Sequence, residues 1–373
     1  LFLTGVKASG GTIGYIDSHN RFILNGKPFF PLGLYVAQCP KGDQSVQLKE
    51  IANSPFDTLM NYAINRCAGG KVTDQQIRQH LNQLQAHDLQ AIFSLVEHQG
   101  LMDIDVLAHK VATFKDHPAI ISWYMNDERG PAYLPKLEAR YKKIRALDPD
   151  HPVWSVHWNA DWLLAEAHTT DIVGVDPYPI AHLPITHVSE MADAAARAGK
   201  PLWLVPQIFS WSDCPGDFRA STGRAPTKEE MRAMTYLATN HGARGLIYYS
   251  YFNVRDDKDY GVRWEQIKDI AQEVDDLKSV FLSTCRTNHR DVACSNTNID
   301  FKLMREEDTY YLFAVNTKKR AITGARFRIN QTKEPSMVDV MFEDNRKIPV
   351  SNGGFKDSFG PYGVHVYSWN TCT

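Results

Sequence analysis

Apolar positions along this chain recur in two rhythms, and the change between them divides it. From residue 30 to about 284, short apolar runs alternate with segments of helical period; beyond that, a period of two takes over. The short runs are residues 30–35, 57–62, 90–96, 119–125, 153–158, 172–176, 201–207 and 245–251. They are unbroken and rich in β-branched and aromatic side chains, the pattern of strands covered on both faces in a parallel sheet. Amphipathic segments lie between them, clearest at 73–86, 135–147, 227–240 and 264–281. Thr227 with Glu230 three residues on forms a capping-box signal, and HGARG at 241–245 stops that helix before the last run. Eight strand–helix alternations over roughly 255 residues predict an α/β fold, a (β/α)8 TIM barrel, over residues 29–284. Ahead of it, in residues 1–28, 14–25 reads as a hairpin that could plug the barrel floor. Residues 285–373 carry β-rich runs at 300–304, 310–316, 325–329, 337–342 and 365–369, which predicts a C-terminal all-β sandwich.

Composition removes several partners. Hydrophobic content is 43% and charged content 23%, the values of a soluble globular chain. A net charge of -2 without a basic run gives nucleic acid no footing. No apolar stretch approaches the ~20 residues of a membrane span. The opening LFLTG is too short for a signal peptide but fits the remnant of one. Six cysteines occur at 39, 67, 214, 285, 294 and 372, without the paired spacing of a zinc site, so no metal is expected. Cys285 and Cys294 are close enough to close a small loop, and Cys39 and Cys67 each follow a strand end and could meet above the barrel. Disulfides would point to a secreted or periplasmic protein.

The segment HPAIISWYMNDE, residues 117–128, ends its apolar run on adjacent carboxylates, Asp127 and Glu128. A buried strand that stops at acidic residues matches the edge of a barrel where such folds keep their chemistry. Glu128 suits a general acid, whose pKa must rise through burial or the Asp127 charge. The plainer reading pairs it with Arg129. Successive strand residues face opposite sides, so both carboxylates share a pocket only if the chain bends or bulges at 126–128. Otherwise Asp127 points into a neighbouring strand. Asp176, in GVDPYPI after the sixth run, is a rival: a nucleophile, a partner for a sugar hydroxyl, or a turn former before Pro177.

Several segments carry a resemblance. FILNGKPFFPLGLY (22–35) resembles the entry to the barrel of clan A glycoside hydrolases. DHPAIISWYMNDE (116–128) resembles that clan's fourth strand, whose motif ends in Asn-Glu with the Glu as acid/base. The stretch 226–252 resembles the lead into the eighth strand of bacterial barrel glycosidases, and GPYGVHVYSW (360–369) is similar to the end of their C-terminal sandwich. Two departures stand out: Asp127 replaces the clan's Asn, and PLWLVPQIFSW (201–211) sets Gln207 or its neighbours where the clan has a nucleophilic Glu. A glutamine cannot attack an anomeric carbon. An Asp-Glu pair without a separate nucleophile resembles the substrate-assisted β-N-acetylhexosaminidases and β-N-acetylgalactosaminidases. That resemblance implies a retaining glycoside hydrolase needing no cofactor and acting on 2-acetamido-2-deoxy-β-hexosides, with β-N-acetylgalactosaminides favoured. It makes Glu128 the acid/base and Asp127 the group that orients the acetamido amide. The alternatives are a clan A β-glycosidase with a conventional nucleophile such as Asp176, and a non-catalytic carbohydrate-binding barrel.

Aromatic side chains at strand ends suit a sugar, because rings cover pyranose C–H faces while hydroxyls bond its edges. Trp158, Tyr178, Trp211, Tyr249 and Tyr251 stand at such places, each also readable as core or rim. Tyr178 and Tyr249 are candidates to reach the acetamido oxygen. His98, His157 and Gln207 are candidates for sugar hydroxyls, the two histidines equally readable as core. Asn330-Gln331-Thr332 is a glycosylation sequon of low specificity.

Overall fold

A computed structural model describes residues 10–97, 100–288, 290–330 and 335–370. The opening LFLTG, His98, most of the sequon and Cys372 lie outside the described residues.

Eight parallel strands close into a barrel in chain order: β1 Leu32–Val36, β2 Thr58–Asn61, β3 Gln90–Ser94, β4 Ile120–Asp127, β5 Val153–His157, β6 Ile172–Val175, β7 Leu202–Leu204 and β8 Ala243–Tyr248. Their continuous apolar runs bury alternate residues inward and outward. Met60, Ile92, Tyr124, Trp154, Trp203 and Ile247 fill the interior, while Trp123, Met125, Val153 and Leu204 meet the surrounding helices. Those helices include α1 Ser45–Ala52, α2 Asp74–Ala86, α3 Ile104–Phe114, α4 Leu134–Leu147, α5 Ala160–Glu166, α6 His187–Ala196 and α7 Lys228–Asn240. The capping box at Thr227 and Glu230 starts α7. β7 ends two residues before Pro206, which has no N–H with which to extend a ladder.

The last apolar run breaks earlier than its sequence suggests. β8 stops at Tyr248, and Tyr251 opens the short helix α8, Tyr251–Arg255. There Tyr251 is buried against Trp264 of α9 (Tyr260–Phe281) and donates a hydrogen bond to Glu50 at 2.7 Å, away from the barrel mouth.

Strands Gly14–Ile16 and Phe22–Leu24 form the hairpin beneath the barrel. Phe22 is fully buried and meets Trp203 edge-on at 5.4 Å, closing the floor.

After α9 the described residues build two antiparallel sheets, one of three strands and one of five. Two strands of the larger sheet show how alternation is used, β9 Thr309–Asn316 and β10 Val364–Asn370. Leu312, Ala314 and Tyr367 face the smaller sheet, while Phe313, Val315, Val364 and Val366 join the barrel core. Phe313 stacks on Tyr236 of α7 at 5.9 Å.

Cys39 and Cys67 form a disulfide that ties the loops after β1 and β2 together. Cys285 and Cys294 do not pair; both carry free thiols, because Cys285 lies beside the five-stranded sheet, where Ser283 bonds the Arg305 carbonyl, while Cys294 lies on the three-stranded one. Among the described residues no helix is long and apolar enough to cross a membrane.

Candidate active site

The strand-four carboxylates owe their direction to two backbone irregularities. Tyr124 pairs with Trp154 and Asn126 with Ser155, so Met125 is an extra residue bulged out of the ladder. The bulge resets the alternation. Asn126 turns outward, and Asp127 faces inward with Tyr124, one residue upstream of where a bend was expected. Glu128 then adopts φ of +56°, a left-handed conformation that L-residues other than Asn and Asp seldom enter. With its N–H held by the Val156 carbonyl at 2.9 Å, its side chain swings into the same cavity.

That cavity encloses about 1280 Å³ at the C-terminal mouth of the barrel. Asp127, Glu128 and Asp176 all line it, with Tyr178, Trp211 and Tyr249. Asp127 accepts hydrogen bonds from Tyr124 at 2.6 Å and Tyr62 at 3.1 Å, and Tyr35 packs edge-on against Tyr124 behind them at 6.1 Å. Burial, then the Asp127 charge, pushes the phenols of Tyr35, Tyr62 and Tyr124 well above their ordinary pKa, so they stay donors. Tyr178 is raised by burial and by Asp176.

Glu128 and Asp176 are a coupled pair. Burial raises Asp176 far above the carboxylate range, and the charge and hydrogen bond of Glu128 add to it. Burial also raises Glu128; its hydrogen bond with Asp176 opposes this, and the Asp127 charge reinforces it. Two buried carboxyls in contact disfavour a dianion, so the pair keeps one proton where free carboxylates would hold none. Arg219 and Arg129 temper Glu128 from the rim. Arg219 lies 3.2 Å above the Trp211 ring and clasps Asp217 through two bonds of 2.7 and 2.8 Å.

Other candidates fall elsewhere. Gln207 has no exposure; its amide accepts from the Ile180 N–H at 2.9 Å and donates to the carbonyls of Ile180 and Phe209. It ties the loops after β6 and β7 together and has no group left for a ligand. His157 is buried outside the cavity, 3.6 Å from Glu166, its pKa lowered by burial to about 4. Trp158, half exposed, stands on the rim against Trp162. The phenols of Tyr62 and Tyr124 were not singled out from sequence. Tyr62 ends a predicted strand and the strand-end rule applied to Trp158 would have found it; nothing in the sequence marks Arg219.

No protein-family model matches the sequence, and no curated protein matches it. Solved structures share the fold. One described as a glycoside hydrolase is 15% identical over 99% of each chain, with a TM-score of 0.65. A family 5 glycoside hydrolase from Bacteroides vulgatus is 14% identical over 96% of this chain and 93% of its own, at 0.64. A beta-galactosidase from Bacillus circulans sp. alkalophilus is 8% identical over 91% of this chain and 99% of its own, at 0.61. The chain therefore has the fold of (β/α)8 glycoside hydrolases with a C-terminal β domain.

Proposed function

We propose that this protein is an exported retaining glycoside hydrolase that removes 2-acetamido-2-deoxy-β-hexosides by substrate assistance, with β-N-acetylgalactosaminides the first substrates to try. One observation carries the reading: Asp127 and Glu128 turn into one cavity, while the strand-seven position is taken by a Gln207 whose amide is spent on backbone. In this reading Asp127, aimed by two phenols, accepts the acetamido N–H. The acetamido carbonyl oxygen then forms a bond to the anomeric carbon as the glycosidic C–O bond breaks. Glu128 gives its proton to the departing oxygen and later takes one from the water that opens the cyclic intermediate. Asp176 is coupled to Glu128, and the pair as a whole retains a proton that the acid can draw on in a cavity crowded with carboxyls.

The rival reading makes Asp176 the nucleophile of a β-glycosidase. Its place in the cavity beside Glu128 favours it, and it differs from the first reading in needing no acetamido group on the substrate. The solved structures of like fold fit either reading. The disulfide Cys39–Cys67 supports export.

A panel of chromogenic glycosides with and without the 2-acetamido group tests the proposal. Acetamido substrates should turn over, their 2-hydroxy counterparts essentially not, and a thiazoline mimic of the cyclic intermediate should inhibit. Comparable turnover of galactoside and N-acetylgalactosaminide overturns it. Binding without turnover of any glycoside would leave a non-catalytic carbohydrate-binding barrel.

A further inference from the structure

Glu128 sits in a left-handed conformation with its side chain in the cavity, and sterics between Cβ and the following carbonyl oxygen disfavour such a conformation for an ordinary L-residue. Something must hold it. On the cavity side Glu128 interacts with Asp176 through its side chain, which does not set its backbone. The support comes from behind the barrel wall.

The bulge at Met125 turns Asn126 outward, where it is almost wholly buried at 1% exposure. Its amide closes the turn like a clasp. Oδ1 accepts the Arg129 N–H at 3.2 Å, and Nδ2 donates to the Arg129 carbonyl at 3.1 Å. Residues 126–129 are thereby pinned at both ends, with Glu128 between. The same Nδ2 also donates to Oε2 of Glu166 at 3.2 Å. Gly130 follows, where a Cβ would come within 2.7 Å of the Trp162 ring, so the turn lies flat on α5.

Glu166 ends α5, is 1% exposed, and does not reach the cavity. Burying a carboxyl costs free energy unless its partners compensate. Its neighbours here are Asn126 and, at 3.6 Å, His157; burial raises its pKa to about 7. No part of the proposed chemistry uses it. Its one geometric effect is to fix the rotamer of Asn126.

We infer that Asn126 is a positioning residue for Glu128, held in its rotamer by Glu166, so that the reach of the acid is set by side chains that never touch the substrate. The inference rests on Glu128 being the general acid. A misplaced acid penalises leaving groups that need a proton and spares those that do not, whereas a general loosening of the barrel slows both alike.

Rates on two glycosides of one 2-acetamido sugar, with a poor and an activated leaving group, separate these. Asn126→Ala should lower kcat on the poor leaving group by about 100-fold, far less on the activated one, with KM little changed. Glu166→Gln keeps an acceptor for Nδ2 and should stay near wild type; Glu166→Leu should follow Asn126→Ala. Equal loss on both substrates, or none, in folded Asn126→Ala overturns the inference. If that variant does not fold, Glu166→Leu against Glu166→Gln decides by the same criterion. Glu128→Gln is measured alongside: leaving-group selectivity there without any in the Asn126 and Glu166 variants defeats the positioning role alone. No selectivity in Glu128→Gln defeats the acid assignment and the inference with it.

Discussion

The two phenols on Asp127 offer a graded test of what that carboxylate does. Tyr124→Phe and Tyr62→Phe each remove one oxygen and leave the rings, so Tyr124 keeps its contact with Trp154 at 5.0 Å and the interior stays filled. The bond from Tyr124, at 2.6 Å, lies in the strong charge-assisted range, and that from Tyr62, at 3.1 Å, is longer. A hydrogen bond to a charged group contributes about 1.5–3 kcal/mol. At about 1.4 kcal/mol per tenfold, full loss of that contribution in the transition state lowers kcat by roughly 10- to 100-fold. Tyr124→Phe should fall towards the upper end and Tyr62→Phe towards the lower. The double variant should lose less than the product of the two, because both bonds serve one carboxylate. Steady-state rates on aryl 2-acetamido-β-glycosides check this, with thermal unfolding to show that the fold is intact. Asp127 orients a nucleophile needed whatever leaves, so the losses should be the same for poor and activated leaving groups. Wild-type kcat in both single variants, or a penalty confined to poor leaving groups, would refute the role given to Asp127.

Asp176→Asn should cut activity moderately and move the alkaline limb of the pH–rate profile to lower pH: the native pair keeps its last proton because burial and mutual charge resist a dianion, and Glu128 beside a neutral amide gives that proton up sooner. An inverted glycosyl azide formed by that variant with added azide would favour Asp176 as nucleophile instead. Burial works against the His241 imidazolium, but the hydrogen bonds it donates to Asp300 and Asp193 raise its pKa to about 9. Its stabilisation should be complete below about pH 6.5 and vanish as pH rises to 9. His241→Gln should therefore melt below the wild type at pH 6 and with it above pH 9. Gln207→Glu restores the carboxylate that the barrel resemblance lacks, yet it sets an acceptor against two carbonyls; it should cost at least about 1–3 kcal/mol in chemical denaturation and add no activity.

The barrel was legible because its signal is repeated. Eight buried parallel strands each need an apolar run, and amphipathic helices must separate them, so an error at one boundary leaves the count intact. Boundaries failed where one residue outweighed the pattern: Pro206 ended β7, and the run expected to reach Tyr251 gave way to α8. Cysteine pairing was half legible. Strand ends brought Cys39 and Cys67 together, whereas nearness in sequence said nothing about whether Cys285 and Cys294 meet in space.

What the sequence determined by itself is periodicity: the order of strands and helices, the β-rich tail, and an acidic pair at the end of the fourth strand. Hydrophobic burial reads such patterns locally, so no partner need be known. Tertiary structure decided where the acidic pair points. The bulge at Met125 and the left-handed Glu128 depend on Asn126, Glu166 and Val156, which lie on three elements. The raised proton affinity of Glu128 and Asp176 depends on burial shared between β4 and β6. Gln207 is bound to backbone that the chain reaches only by folding. Direction, burial and proton affinity are properties of neighbours brought together across the barrel, and residue spacing along the chain does not contain them.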